Sequence, residues 1–362
     1  MNRKFTSATL MALVAMSSVV FTHCSKKDIA PAESATPSAI TETLAYTGTG
    51  SQWDWTLDIA GTFTATETTL PMTINGTYTR LASGFIKMTV VSSTGTNAPV
   101  AGNLAYGLEV PGVALLVKPV SSSESEVITM VAKGKCPTAD FSANWIKTQF
   151  NPNFDMTSTT SNNGDDAFGT FGWTQATGTG SVATRYTVAG YTAAAGTQNM
   201  AGTCTAGLMT TSGGASMYLT AQGGALIKTA SGDAMFAMPN GTITQAALAG
   251  NYAGLLFDDY QSSGKVRPMV GVATAAGLLS ADAIDVETGT KDPLISGSLQ
   301  MDAVNSPSAG FIKATVTVGS KTGKMACMAA VNVASTEKNI IFCVGQSPGS
   351  NQHPFNLLFV SH

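Results

Sequence analysis

Few side chains in this 362-residue chain could serve as a catalytic base. Its three histidines are His23, His353 and His362; His23 lies in the N-terminal leader and His362 is the last residue. A Ser-His-Asp site would need His353, in Ser350-Asn351-Gln352-His353-Pro354, yet no G-x-S-x-G elbow is present to offer a serine. His353 therefore reads as a solvated loop histidine. Carboxylates offer a second chemistry, since Asn162-Asn163-Gly164-Asp165-Asp166 and Asp258-Asp259 carry oxygen donors of the kind calcium takes. Neither has the alternating spacing of an EF-hand loop, and Asx-rich turns form without metal, so no metal is assigned. Paired carboxylates of the glycosidase kind meet only in space, which leaves a carboxylate-dependent hydrolase as an alternative. Trp53, Trp55, Trp145 and Trp173 could line a sugar- or lipid-binding surface. Trp55 sits in an alternating strand and is assigned to the core, whereas Trp173, between Gly172 and Thr174, is assigned to an exposed contact.

The fragments S-x-x-K, S-x-N and K-T-G of penicillin-recognising enzymes each occur, as Ser262-Ser263-Gly264-Lys265, Ser142-Ala143-Asn144 and Lys321-Thr322-Gly323. They do not make a site. The serine and lysine need a helix to meet, and Gly264 stands between them with no helical period around it. The S-x-N fragment also precedes S-x-x-K, the reverse of that family's order. Lys321-Thr322-Gly323 reads as a turn.

Cysteines carry a firmer signal. Apart from Cys24 there are four: Cys136, Cys204, Cys327 and Cys343. An even number in an exported chain points to disulfides, although four cysteines allow three pairings. Apolar segments flank the polar stretch Ser335-Thr336-Glu337-Lys338-Asn339, and a hairpin turning there sets Cys327 across from Cys343. Elimination then pairs Cys136 with Cys204; four buried thiols are the alternative. No C-x-x-C or clustered-His spacing suggests zinc.

The leader has Arg3 and Lys4, then an apolar run from Ala8 to Phe21, then Thr22-His23-Cys24 and the polar Ser25-Lys26-Lys27-Asp28. A positive head, an apolar stretch and a polar stop describe a secretory signal over residues 1–23. The run falls short of the roughly 20 apolar residues a spanning helix needs. Cys24 at its end resembles the bacterial lipobox, with Phe21 and Thr22 at the apolar and small positions and His23 where that pattern has Gly or Ala. The resemblance covers the first 24 residues and implies a bacterial lipoprotein with lipid on Cys24; Ser25 after the cysteine implies the outer membrane. Residues 24–44, rich in Ala, Ser, Thr and Pro, have tether composition. As a coil of about 20 residues, the tether reaches roughly 25 Å.

Without Arg3 and Lys4 the chain carries 17 basic and 22 acidic side chains, a net charge of −5. No basic patch accompanies it, so nucleic acid is not an expected partner. Charged residues make up 11% of the chain, far below the usual quarter. Low charge with abundant Thr and Gly suits exported antiparallel β-structure, where Thr covers solvated strand faces.

Strand signals dominate the pattern. Trp53 to Ile59 alternates apolar and polar residues, and Asn75-Gly76 between Met72-Thr73-Ile74 and Thr77-Tyr78-Thr79 reads as a two-residue hairpin turn. Further strands are expected at 85–91, 112–117, 127–131, 185–188, 217–221, 225–229, 311–318, 325–333, 339–344 and 356–360. The best helix is a short one from Thr244 to Leu248, ended before Gly250. Gly84-Phe85-Ile86-Lys87-Met88-Thr89-Val90 matches Gly310-Phe311-Ile312-Lys313-Ala314-Thr315-Val316 at six of seven positions. In the same order upstream, Ile74-Asn75-Gly76 answers Ile295-Ser296-Gly297, and Tyr46-Thr47-Gly48 answers Tyr252-Ala253-Gly254. These matches predict an all-β fold of two antiparallel β-domains, small barrels or sandwiches, related by an internal repeat. The boundaries are 45–245 and 246–362, near the turn Pro239-Asn240-Gly241, with the status of residues 136–245 as a separate domain left open.

The expected function is a non-enzymatic cell-envelope lipoprotein acting in binding, adhesion or surface structure, with no cofactor. Its partners would be the membrane, through the lipid on Cys24, and an envelope or surface protein or a glycan. The alternative is a lipocalin-like carrier of a small apolar ligand. A closed barrel with an apolar cavity would favour the carrier, and facing carboxylates in a cleft would favour the hydrolase.

Overall fold

The computed structural model describes residues 43–48, 53–69, 71–120, 127–147, 168–186, 193–194, 198–210, 216–220, 224–228, 234–258, 265–303, 309–333, 338–346, 348 and 354–362. Eight strands open the described chain: β1 (Leu44–Gly48), β2 (Trp53–Leu57), β3 (Thr62–Glu67), β4 (Met72–Arg80), β5 (Ile86–Gly95), β6 (Leu104–Val110), β7 (Ala114–Pro119) and β8 (Ile128–Ala132). Each pairs antiparallel with the next, and β1 closes onto β8. Their period-2 pattern sends Phe63 and Ala65 inward, where they are buried, and Thr62 and Thr64 outward to solvent. The threonine-rich composition is thus spent on the barrel's outside, and the apolar side chains fill its inside.

The last eight strands repeat this plan. They are β19 (Gly250–Asp258), β20 (Lys265–Ala273), β21 (Leu278–Ile284), β22 (Lys291–Asp302), β23 (Phe311–Val318), β24 (Lys321–Ala330), β25 (Ile340–Gln346) and β26 (Pro354–Ser361), with β19 closing onto β26. The matched segments fall on corresponding strands. Tyr46 and Tyr252 lie on the first strand of each barrel, Gly76 and Gly297 on the fourth, and the seven-residue match leads into the fifth.

Between the barrels runs a ten-stranded antiparallel sheet. Its strands are β9 (Phe141–Lys147), β10 (Phe168–Thr174), β11 (Thr179–Tyr186), β12 (Ala193–Ala194), β13 (Gln198–Ala201), β14 (Cys204–Thr205), β15 (Leu208–Thr210), β16 (Ser216–Leu219), β17 (Ala225–Lys228) and β18 (Ala234–Pro239). The sheet is rolled. Near one edge β13 pairs with β11, while β14 forms the opposite edge, and only Gly202 and Thr203 separate the two strands. The inside of the roll holds Trp145, Phe171, Trp173, Met209 and Met217. Its other face contributes Ile146, Phe168 and Phe236 to a core shared with the outer walls of both barrels, where Phe168 meets Phe311 edge-on at 5.0 Å and Phe236 lies 6.4 Å from Phe342. So the fold is all-β with two closed barrels, and residues 141–239 form a sheet of their own.

Three local expectations need correction. Asn75-Gly76 is no turn: β4 runs straight through it, and the register against β5 shifts between the two residues. The glycine is required there because a Cβ on Gly76 would fall 2.4 Å from the Phe63 ring and 2.3 Å from the Thr89 carbonyl oxygen. Lys321-Thr322-Gly323 begins β24, and the turn stands just before it, with Gly319 at φ +59°. Trp173 is buried, 3% exposed, because the sheet rolls around it. The expected helix is present as one 3-10 turn, Gln245–Leu248, capped by the Thr244 side chain.

Candidate ligand cavity in the second barrel

The 3-10 turn Gln245–Leu248 plugs one end of the second barrel. Leu248 is fully buried beneath the barrel core, and Tyr252 donates its hydroxyl to the Leu248 carbonyl at 2.8 Å. Gln245 Nε2 donates to the Met301 carbonyl at 2.8 Å, and Asn339 Nδ2 to that of Ala247 at 3.0 Å. The plug is therefore tied to strands from several sides of the barrel, which makes it a fixed floor. Within the barrel core, Cys327 and Cys343 form a disulfide between directly opposed residues of β24 and β25, both fully buried.

Toward the opposite end the packing stops short and leaves a cavity of about 210 Å³. Leu256, Met269, Leu279, Leu299, Phe355 and Phe359 supply most of its wall, with Ser296 and Ser298 on one side. A bulge shapes that side: Asp282 pairs with Ser296 but its neighbour Ala283 pairs with Asp292, so β22 carries extra residues there. Arg267 also lines the cavity. Its Nε is buried and has no hydrogen-bond partner. An unmet buried donor of this kind costs about 1–3 kcal/mol, more when charged.

The first barrel closes its corresponding end differently. Tyr46 donates to Glu109 Oε1 at 2.6 Å, Arg80 pairs with Glu109 Oε2, and the Gly112 N–H donates to the Tyr46 oxygen at 3.3 Å. Burial, then the adjacent Glu109 charge, holds the Tyr46 phenol well above its ordinary range. Burial pulls the Arg80 guanidinium down, but Glu109 outweighs it and the net shift is upward. All three groups are occupied with one another. They form a structural plug with no group left over to act on a substrate.

The remaining candidate residues disperse. Cys136 and Cys204 form the second disulfide, which ties the chain leaving the first barrel to the β14 edge of the rolled sheet. Cys24, His353, the cluster Asn162 to Asp166, Asp259 and Ser262 to Gly264 lie outside the described residues. Asn144 of the S-x-N fragment is buried on β9 and donates to the Ala309 carbonyl, beside the Ala329 end of β24, whereas Lys321 begins that strand at its other end. Trp145 is fully buried, Trp55 nearly so, and Trp53 partly, in the interior of the first barrel. In the groove between the barrels, Asp285 accepts from the Thr288 and Glu287 backbone N–H groups, which holds its carboxyl below the usual range. A general acid needs the opposite shift.

Sequence reasoning missed Arg267. The signal for it is parity: Arg267 falls on the same face of β20 as inward Met269. An inward charge with no partner points to a site, but it is recognised only once the inward face is known.

Among the described residues this is a two-barrel, all-β protein with a largely apolar cavity of about 210 Å³ inside a closed eight-stranded barrel. No family model matches the chain, and no curated protein matches it. Two solved structures to which it is similar are mutants of the vaccine antigen transferrin binding protein B from Haemophilus parasuis Hp5. One is 10% and the other, a double mutant, 8% identical; both have a TM-score of 0.26 over 85% of this chain. The chain spans 64% of the length of each.

Proposed function

We propose that this chain is an exported, non-enzymatic binding protein of the cell envelope, and that its second barrel carries a small apolar ligand ending in an anionic group. The observation that carries the reading is Arg267, whose Nε is buried without a hydrogen-bond partner on the wall of a cavity that is apolar apart from it and Ser296 and Ser298. Apolar walls with a few placed polar groups are the usual composition of a ligand pocket. A carboxylate or similar acceptor would satisfy the arginine while its tail lay among Leu256, Met269 and Leu299.

The export part of the reading rests on sequence. Lipid on Cys24, followed by a tether over residues 24–44, would hold the folded part at the outer membrane. The low charge and two disulfides support an oxidising compartment outside the cytoplasm.

Isothermal titration calorimetry with decanoate tests the ligand class. One decanoate is expected per chain, and Arg267→Met should weaken it by about tenfold or more, the worth of a hydrogen bond to a charged group. Equal binding of decanoate by the variant, or none by the parent, would overturn the assignment. Detergent-phase partitioning tests the anchor: Cys24→Ala should move the protein to the aqueous phase, and unchanged partitioning would remove the lipid from the reading.

A further inference from the structure

The geometry points to a second ligand site, of opposite polarity, inside the first barrel: a cavity for an organic cation with an apolar body. At the end away from the Tyr46 and Glu109 plug, the first barrel encloses about 580 Å³. Trp53, Trp55, Phe63, Met72, Ile74 and Met88 form the greater part of the wall. The β5–β6 connection covers one rim through Asn97 to Val100, and Ser93 Oγ donates to the Pro99 carbonyl to hold it in place.

Two polar groups in this wall have no partner. Glu67 is 5% exposed, yet its Oε1 accepts no hydrogen bond. Trp55 is 4% exposed, and its indole N–H donates none. The strand pattern explains why both face the cavity. Phe63, Ala65 and Glu67 alternate onto the inner face of β3, and Trp53 sits directly opposite Glu67 on β2. The charged pair at the other end of this interior, Arg80 and Glu109, is satisfied within itself. A carboxylate at the end of the run, with one oxygen buried and unmet, is costly for the barrel alone.

The missing partner can be specified from these atoms. Glu67 needs a donor, preferably charged, because a charge-assisted bond offsets the loss of water best. Trp53 and Trp55, with ring centroids 6.1 Å apart and planes at 53°, line the wall beside it, Trp55 with one face stacked on Phe63 at 5.3 Å. Aromatic faces and a carboxylate together favour a protonated amine. The Trp55 N–H asks for an acceptor as well, so a ligand with a hydroxyl or carbonyl near its amine would fit better than a bare amine. This site opens at the end of its barrel corresponding to the Arg267 cavity, so the two barrels would hold ligands of opposite charge.

The matched compounds decylamine, decanol and decanoate share one tail and differ in head group. Titrated into the full chain, decylamine should bind with a change in tryptophan emission, because Trp53 and Trp55 line the site. Glu67→Gln should weaken decylamine by about tenfold or more, as should exchanging the amine for the alcohol. Arg267→Met should leave decylamine binding unchanged, which separates this site from the one in the second barrel. If Glu67→Gln does not fold, Ala105→Phe, which fills the same cavity from β6, should abolish binding in a barrel that keeps its β-sheet circular dichroism. Absence of decylamine binding by the parent would overturn the proposal. So would equal affinity for decanol, or binding that survives Glu67→Gln or Ala105→Phe in a folded protein.

Discussion

Tyr46 donates its hydroxyl to Glu109 Oε1 at 2.6 Å across the floor of the first barrel, with both side chains buried. Tyr252, at the matching place on the first strand of the second barrel, donates instead to the Leu248 carbonyl at 2.8 Å. One tyrosine position thus supports two different plugs, one ionic and one made by a 3-10 turn. A bond to a charged group contributes about 1.5–3 kcal/mol and a neutral one about 0.5–1.5. Tyr46→Phe should therefore destabilise the protein more than Tyr252→Phe in urea unfolding. Equal losses would mean that Glu109 is satisfied by Arg80 alone.

Buried phenols also set an alkaline limit. Burial pushes Tyr252 up to about 12, and burial with the nearby Glu287 and Asp285 charges pushes Tyr106 up to about 12. An unfolded tyrosine ionises near pH 10. Above that pH the unfolded chain releases protons that the folded chain keeps, so the unfolded state gains and stability falls as pH rises toward about 12. Unfolding free energy should be level with respect to these groups below pH 10 and decline above it, and Tyr252→Phe should make the decline shallower. A level profile through this range would contradict the burial of these phenols.

The disulfide between Cys327 and Cys343 closes a loop of 16 residues, and that between Cys136 and Cys204 a loop of 68. Chain entropy assigns about 3 and about 4 kcal/mol to loops of these sizes. Replacing Cys327 and Cys343 together by alanine should lower stability by about the smaller amount, plus whatever space the two buried sulfurs leave unfilled. Non-reducing peptide mapping should join Cys327 to Cys343 and Cys136 to Cys204. Free thiols at either pair would remove the corresponding contribution.

Gly76 gives a sharper test of the barrel interior. Gly76→Ala would push a methyl into the Phe63 ring and the Thr89 carbonyl, and overpacking of this kind costs about 1–3 kcal/mol. Asn75→Ala removes only an exposed hydrogen bond at 3.1 Å to Thr64 and should change stability by less. A type I′ turn would make both substitutions costly, since both of its central residues need positive φ. Thermal unfolding of the two variants distinguishes the cases.

The Gly76 misreading shows which part of this fold was legible and why. Alternation in Trp53 to Leu57 and the threonine-rich strands revealed half-buried antiparallel sheet, because inward and outward faces differ in chemistry. The hairpin around Ser335 was readable because polar residues interrupt two apolar strands, and the pairing of Cys327 with Cys343 follows from that hairpin's register. Asn75-Gly76 carried the local mark of a turn, while its glycine answers to the Phe63 ring on the neighbouring strand. Trp173 was misplaced for a related reason: its exposure depends on the sheet rolling, which no single strand encodes. Glu67, in a Thr-rich strand, and Arg267, two residues from Lys265, stayed hidden because a charge in a strand looks like one more solvated residue until the inward face is known.

The repeated glycines Gly84 and Gly310 make the last test, since each begins the matching segment and each has a left-handed φ, +86° and +84°. Both stand where the bodies of the fold touch. A Cβ on Gly84 would meet the His362 side chain at 2.8 Å, and a Cβ on Gly310 would fall 2.4 Å from Asn144 Nδ2 on the rolled sheet. His362 is exposed, so its side chain can yield. Asn144 is 1% exposed and held by its donation to the Ala309 carbonyl at 2.6 Å, so it cannot move without breaking that bond. Both alanine variants carry the conformational penalty of a left-handed residue, about 1–2 kcal/mol. Gly310→Ala should therefore lose more stability than Gly84→Ala, by about the 1–3 kcal/mol of an unmet buried amide. Adding Asn144→Ala to Gly310→Ala should recover part of that difference, and a strictly additive double variant would show that Asn144 is not what the glycine makes room for.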